Sequence, residues 1–214
     1  MADVTDREKR EQEFLALLLV LWPNESPHYW LTTPPSINAF TQRIRRQGIT
    51  DLVRDVTVRQ SQDFLDEIEW DRPRVDVFSG LDIVTEVFEH ELGRRLANHH
   101  ADWVREYRTA EREGNELPDL ADLYTKNDAK REAITSLSTV ASRAEIFGKN
   151  RIKDLYDESI ASIWQLDPFS NVCPICMGLA GTPERIWRKE FPGGPPAHPN
   201  CRCHISHSLI VPSR

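Results

Sequence analysis

The sequence predicts a mainly α protein, in which long amphipathic helices precede a small C-terminal module that is rich in Cys and His and contains short β-hairpin elements. Apolar residues recur at helical spacing through most of the 214 residues. In contrast, 8 of the 14 prolines and 4 of the 9 glycines fall within 167–214, and so many helix-breaking residues exclude a continuous helix there. All four cysteines also lie in this last part of the chain.

Composition and charge exclude several functional classes. Hydrophobic residues make up 39% of the chain and charged residues 29%, with six tryptophans, which is typical of a globular protein and not of a disordered one. The net charge of −7 argues against a protein that coats nucleic acid by neutralising its phosphates.

The longest apolar run, from Phe14 to Trp22, has nine residues, whereas a helix that spans a membrane needs about 20. We therefore expect no membrane span. The residues before the run are net acidic and no small-residue cleavage site follows it, so we expect synthesis in the cytoplasm without a signal peptide.

Three helices are predicted in the first third of the chain. The first, over 5–21, contains the apolar run after a charged first turn. The second covers 35–47 and ends before Gly48, and the third covers 50–70, although its β-branched valines also suit a strand. Four prolines in 23–35 predict an extended connection.

The middle of the chain contains the first of two longer helices. An apolar stripe that includes Leu81, Phe88 and Trp103 predicts a helix over 73–114, either unbroken or interrupted near Gly93. The stripe contains no internal proline and is followed by a glycine.

Several Glu and His residues on this helix could suggest a metal site. Glu86 and His90 share one helical face, but the second His that a zinc protease helix requires four residues later is absent. We therefore interpret these two residues, together with Glu91, His99 and His100, as a solvated face of the helix.

A second apolar stripe predicts another long helix over 127–165, with Asn127 as its N-cap, that leads directly into the Cys-rich module. The chain is therefore divided into an N-terminal helical region, 1–125, and a C-terminal region, 126–214. The C-terminal region joins the long helix to the Cys-rich module of 166–207.

The pattern that carries chemistry is a pair of Cys boxes. A Cys-Pro-Ile-Cys box is followed, after 21 residues, by the sequence His-Pro-Asn-Cys-Arg-Cys-His. A Cys-x-x-Cys turn places two thiolates on one side, and a hairpin that brings a second Cys pair alongside completes a tetrahedral site.

We therefore expect one structural zinc ion. Its predicted ligands are Cys173, Cys176, Cys201 and Cys203, with His198 or His204 able to replace one sulfur. Basic residues nearby would offset the negative charge of the thiolates, namely Arg185, Arg188, Lys189 and Arg202.

Two other states of the four cysteines stay open at this stage. Disulfides between the two pairs would form if the protein reached an oxidising environment, such as that of an extracellular particle. Free buried thiols are the third state. Some cross-link is physically reasonable, because the loop from Pro192 to Pro196 is too poor in apolar residues to build a core of its own.

The two boxes and their surroundings resemble the C-terminal signature of the phage head morphogenesis family, the Mu F-like minor head proteins. The similarity runs in order through Ile163-Trp164, the Cys-Pro-Ile-Cys box, a turn at Gly181, Phe191-Pro192 and the Pro-Ala-His-Pro-Asn-Cys-Arg-Cys box. The similarity covers roughly 130–207. Within this range, the helix departs from the family pattern at 147–150. No part of 1–125 carries the resemblance.

The resemblance implies a minor structural protein of a tailed-phage head. Such a protein is associated with the portal and acts in head assembly, DNA packaging or DNA delivery. Its implied partners are portal and other head proteins, with contact to DNA as a secondary feature. The implied location is the host bacterial cytoplasm during assembly and the head of the virion afterwards.

Two alternatives from other functional classes remain. The zinc module could bind nucleic acid, which the net charge of −7 disfavours. A metal-dependent nuclease of the His-Asn-His type could use His198, Asn200, His204 and His207. These four residues lie within ten positions, which is too compressed for the strand, loop and helix that hold such a catalytic metal.

Overall fold

In the computed structural model, the described residues are 4–22, 27–33, 36–119, 123–167, 174–198 and 201–210. They form a mainly α fold with one small sheet, which confirms the predicted fold class. In chain order the elements are α1 (Val4–Val20), α2 (Pro27–Thr32), α3 (Ile37–Arg46), α4 (Ile49–Glu67), α5 (Arg74–Phe78), α6 (Asp82–Glu113), α7 (Lys126–Tyr156), β1 (Ile160–Gln165), α8 (Pro174–Leu179), α9 (Glu184–Glu190) and β2 (His204–Leu209).

The apolar stripes of α1, α3, α4, α6 and α7 pack together into one large core. Phe14 of α1 meets Phe88 of α6 edge to face, with 6.2 Å between the ring centroids. Burying an aromatic or aliphatic side chain of this kind contributes about 1.5–3 kcal/mol. Leu137 and Val140 of α7 belong to the same core. Helix α7 of the region 126–214 therefore shares a hydrophobic core with the region 1–125.

The predicted helix over 73–114 is interrupted, but not at Gly93. Helix α5 ends at Phe78 and α6 begins at Asp82, with Gly80 in a left-handed conformation at φ 85° between them, and α6 is continuous through Gly93. The glycine instead permits close contact with α3, because a Cβ atom at this position would lie 2.6 Å from Thr41 Oγ1. Helix α6 ends at Gly114, whose φ of 71° is the left-handed conformation that favours glycine.

The structure corrects the interpretation of His100 as part of a solvated face of α6. Its imidazole is buried among aromatic side chains, and its Nε2 lies 2.7 Å from the carbonyl oxygen of Trp30. Burial lowers the pKa of His100, although the hydrogen bond to Trp30 acts in the opposite direction. The imidazole is therefore neutral and structural.

The predicted helix over 127–165 is wrong in its last part. Helix α7 begins at a capping box between Thr125 and Asp128, not at Asn127, and ends at Tyr156 because Asp157 adopts a left-handed φ of 55°. Residues 160–165 form strand β1 instead. Ile160, Ile163 and Trp164 have helical spacing, but pairing with β2 makes this stretch a strand, whose buried face is Ile160, Ser162 and Trp164.

The predicted extended connection over 23–35 is also corrected where it is described. Residues 27–32 form the short helix α2, in which Pro27 occupies the first position, where its missing N–H is tolerated. Trp30 of this helix is fully buried against Trp22. Residues 23–26, 34 and 35 lie outside the described part of the chain.

Strands β1 and β2 pair antiparallel, with Trp164 opposite Ile205 and Ile160 opposite Leu209. The chain between them contains α8, α9 and both Cys boxes, so the two strands frame the Cys-rich module and are not joined by a tight turn. Within the described ranges, no helix combines the length and the apolar character that crossing a membrane requires.

Candidate metal centre

Three of the predicted ligands converge at one point of the module. Cys176 in α8, His198 and Cys201 place their ligand atoms within 4.8 Å of one another. The Sγ atom of Cys176 lies 3.1 Å from Nε2 of His198 and 3.7 Å from Sγ of Cys201. Two sulfurs bound to one tetrahedral zinc ion at about 2.3 Å are about 3.8 Å apart, so the sulfur separation fits a shared ion.

The local fold explains this convergence. The N–H of Cys201 donates to the carbonyl oxygen of His198 at 3.0 Å, which makes a turn that presents both side chains on one side. Both boxes lie between the paired strands β1 and β2, and no tight hairpin of the kind expected from the sequence joins these strands. A module core of apolar residues surrounds the sulfurs and comprises Trp164, Cys176, Leu179, Trp187, Cys201, Cys203 and Ile205.

The electrostatics of the second box favour one thiolate. The sulfhydryl of Cys203 forms a hydrogen bond with Cys201, which lowers the pKa of Cys201 to about 5. The same interaction raises the pKa of Cys203 above that of an ordinary thiol. Because the thiolate is the form that binds metal, a lowered pKa keeps the Cys201 sulfur in its metal-binding form at neutral pH.

The other predicted ligands have different positions. Cys203 is buried next to Cys201 but does not join the group of three, and His204 is exposed at the first residue of β2. Cys173 lies outside the described residues. No disulfide joins Cys176, Cys201 and Cys203 to one another.

Helices α1 and α7 hold the backbone of the second box. Ser138 of α7 donates to the carbonyl oxygen of Cys201 at 3.2 Å, and Arg7 of α1 donates both to Ser138 at 2.8 Å and to the carbonyl oxygen of Arg202 at 3.4 Å. Arg202 in turn donates to Glu11, which is buried. The sequence alone associates Arg202 with the thiolates and gives no indication that α1 takes part in the site.

A second polar cluster lies beneath the sheet and contains His207. Its Nδ1 lies 3.1 Å from Ser162 Oγ, and its Nε2 lies 3.3 Å from a carboxylate oxygen of Glu145. Lys149 donates to Ser162 at 2.8 Å, and Gln60 donates to Glu145 at 2.7 Å. All three members of the Ser–His–Glu chain are buried. The cluster joins α4, α7 and both strands.

The nuclease alternative requires its histidines to meet at one metal, and the described residues do not meet. His198 contacts Cys176, whereas His207 contacts Ser162 and Glu145. Asn200 lies outside the described residues. The role of Ser162 could not be predicted from the sequence, because a polar residue between Ile160 and Trp164 is informative only once that stretch is known to be a strand.

The candidate metal centre is thus defined by two sulfurs and one imidazole nitrogen, with a third sulfur beside them. No protein-family model, curated protein or solved structure matches the chain.

Proposed function

We propose that this chain is a minor structural protein of a tailed-phage head, which associates with the portal and acts in head assembly, DNA packaging or DNA delivery. The observation that carries the proposal is the ordered pair of boxes, Cys-Pro-Ile-Cys and His-Pro-Asn-Cys-Arg-Cys, with the aromatic and glycine positions between them. The meeting of Cys176, His198 and Cys201 supports it, because motif positions distant in sequence converge on one point.

Zinc is the metal that this site suits best. Two cysteine sulfurs and one imidazole are ligands typical of zinc, and a structural zinc site is closed by a fourth protein ligand. Cys203, beside Cys201, or Cys173, in the same box as Cys176, would supply that ligand. The metal would contribute no catalysis in this role but would fix the module between β1 and β2.

The fixed module is proposed to be the part that docks to portal or other head proteins, while the long helices α6 and α7 provide further protein contacts. The protein would be made in the host bacterial cytoplasm and would remain in the head of the virion. Its contact with DNA is secondary to these protein contacts.

The test is incorporation into heads. We expect the tagged protein to co-purify with the portal protein encoded in the same genome and to be retained in purified heads. His198→Gln, which removes a converging ligand, should abolish retention. The matched control is His204→Gln, which makes the same change at an exposed position outside the ligand group. A wild-type protein absent from heads that contain the portal protein would contradict the proposed function.

A further inference from the structure

A groove with an excess of positive charge lies between the last turns of α7, the start of β1 and α9. It encloses about 550 Å³. Five cationic and two acidic side chains line it, although the whole chain has a net charge of −7. The cationic residues are Lys149, Lys153, Arg185, Arg188 and Lys189.

Both acidic residues of the groove are already neutralised. Glu184 forms ion pairs with Lys149 and Arg188, and Glu158 forms an ion pair with Arg72, which lies outside the groove lining. These acids are therefore not available to balance the remaining cations.

Three cations of the groove remain without an acidic partner among the described residues. Lys153, Arg185 and Lys189 are exposed and form no ion pair there. Arg185 and Lys189 are four residues apart, which places them on the same face of α9. The exposed part of the groove lining thus carries three positive charges that form no ion pair with the described residues.

The rest of the lining indicates which kind of anion fits. Nine of the ten lining residues are polar or charged, and the single apolar one, Ile160, is buried. A peptide ligand is normally held by apolar anchors in pockets, which this groove does not offer. A polymer that carries a phosphate on every unit can be held by contacts between its phosphates and these cations, without apolar pockets.

We infer that this groove binds the phosphodiester backbone of a nucleic acid without reading its base sequence. Lysine and arginine are the usual partners of phosphate oxygens, and no aromatic side chain lines the groove to stack on bases. Because the chain as a whole is acidic, binding is weak and falls steeply with salt. None of the lining residues is a candidate metal ligand, so binding requires neither the metal nor the proposed head function.

The test measures binding of a short, labelled duplex DNA by fluorescence anisotropy over a series of salt concentrations. The triple variant Lys153→Gln/Arg185→Gln/Lys189→Gln should weaken binding at low salt by at least about tenfold, and should reduce the salt slope by about 0.9 for each lost phosphate contact. All three residues are exposed, so the variant is expected to keep the circular dichroism spectrum of the wild type.

Three arginines that line a second, smaller groove on α6 provide a charge-matched control, because Arg105→Gln/Arg108→Gln/Arg112→Gln removes the same charge. Arg105 and Arg112 already form ion pairs with Asp102 and Glu113, and Arg108 donates to a backbone carbonyl oxygen. We expect this control to change affinity by less than about twofold. Equal loss in both triple variants, no loss in the groove variant, or no binding by the wild type would overturn the inference.

Two competitors separate nucleic acid from other anions. Inorganic phosphate should displace DNA no better than sodium chloride at the same ionic strength, and poly-glutamate should displace it less well than unlabelled DNA. Specific displacement by inorganic phosphate would assign the groove to free phosphate instead. Displacement by poly-glutamate as strong as that by DNA would assign it to an acidic polypeptide.

Discussion

The Cys201 thiol supplies one of the two sulfurs of the candidate metal centre. Its sulfur lies 3.7 Å from that of Cys176, and its backbone is fixed by the turn from His198. The hydrogen bond with Cys203 stabilises the thiolate, so a metal ion can bind at neutral pH without first displacing the proton of this sulfur.

This arrangement predicts a pH dependence of the metal-free protein. The pKa of Cys201 is about 5 in the folded chain against an ordinary value of 9.0, so the folded state favours the thiolate. Its stabilising contribution is fully present above the unfolded pKa and is lost as the pH falls through the folded pKa. The free energy of unfolding of the metal-free protein should therefore rise from about pH 5 to about pH 9.

The measurement is ultraviolet thiolate absorbance against pH in chelator-treated protein, followed by urea unfolding at both ends of this range. Cys203→Ala removes the hydrogen bond that lowers the pKa of Cys201 and should move the titration upward. If the midpoint of the first thiol lay near 9 in the wild type, or did not move in the variant, this description of Cys201 would be wrong.

At the scale of elements, close contact between α3 and α6 depends on Gly93. A Cβ atom there would lie 2.6 Å from Thr41 Oγ1 and 3.1 Å from the carbonyl oxygen of Ile37. Thr41 Oγ1 already donates to that carbonyl at 2.9 Å, so it cannot move away without losing a hydrogen bond.

Gly93→Ala is therefore expected to destabilise the protein by about 1–3 kcal/mol, because forced overlap outweighs the gain in helix propensity of about 1 kcal/mol. Urea unfolding followed by circular dichroism measures the change. Gly178→Ala in α8 is the control, since a Cβ atom there meets nothing within 4 Å. Equal stability of the two variants would show that α3 and α6 are not in close contact.

The elements also show what the sequence could and could not predict. Helices α1, α3, α4 and α6 could be predicted because each has an apolar stripe, and Gly48 and Gly114 mark two of the ends. The end of α7 could not be predicted, because pairing with residues more than forty positions away turns Ile160 and its neighbours into a strand. Helix α2 could not be predicted either, because the prolines around it indicate an extended connection.

The ligands of the candidate site could be predicted from the sequence, but the residues that support them could not. Box spacing alone indicated a common site for Cys176 and Cys201, and named His198 as a possible ligand. Spacing could not reveal that Arg7 and Glu11 support the second box, because they come from the opposite end of the chain and only the packing of α1 on α7 brings them there.

Across the molecule as a whole, polar contacts join the candidate metal centre to the helical body. The ion pair between Arg202 and Glu11 joins the second Cys box to α1, and Ser138 joins it to α7. Metal binding should therefore stabilise the whole chain and not the module alone.

Glu11→Gln tests this connection. The substitution weakens a largely buried, charge-assisted hydrogen bond and should lower the free energy of unfolding by about 1.5–3 kcal/mol. It should also weaken zinc affinity by about 10–100-fold, as measured by competition with a chelating dye. Glu8→Gln makes the same change at an exposed position of α1 and should leave both quantities unaltered. If the two variants behaved alike, the body would not support the metal centre.

The most direct test of the proposed metal centre is elemental analysis of the reduced, purified protein, combined with thiol titration before and after chelation. We predict one zinc ion per chain, protected thiols that become reactive only after chelation, and loss of the zinc in Cys201→Ser. Protein without metal whose four cysteines react freely in the native state would rule out the proposed metal centre.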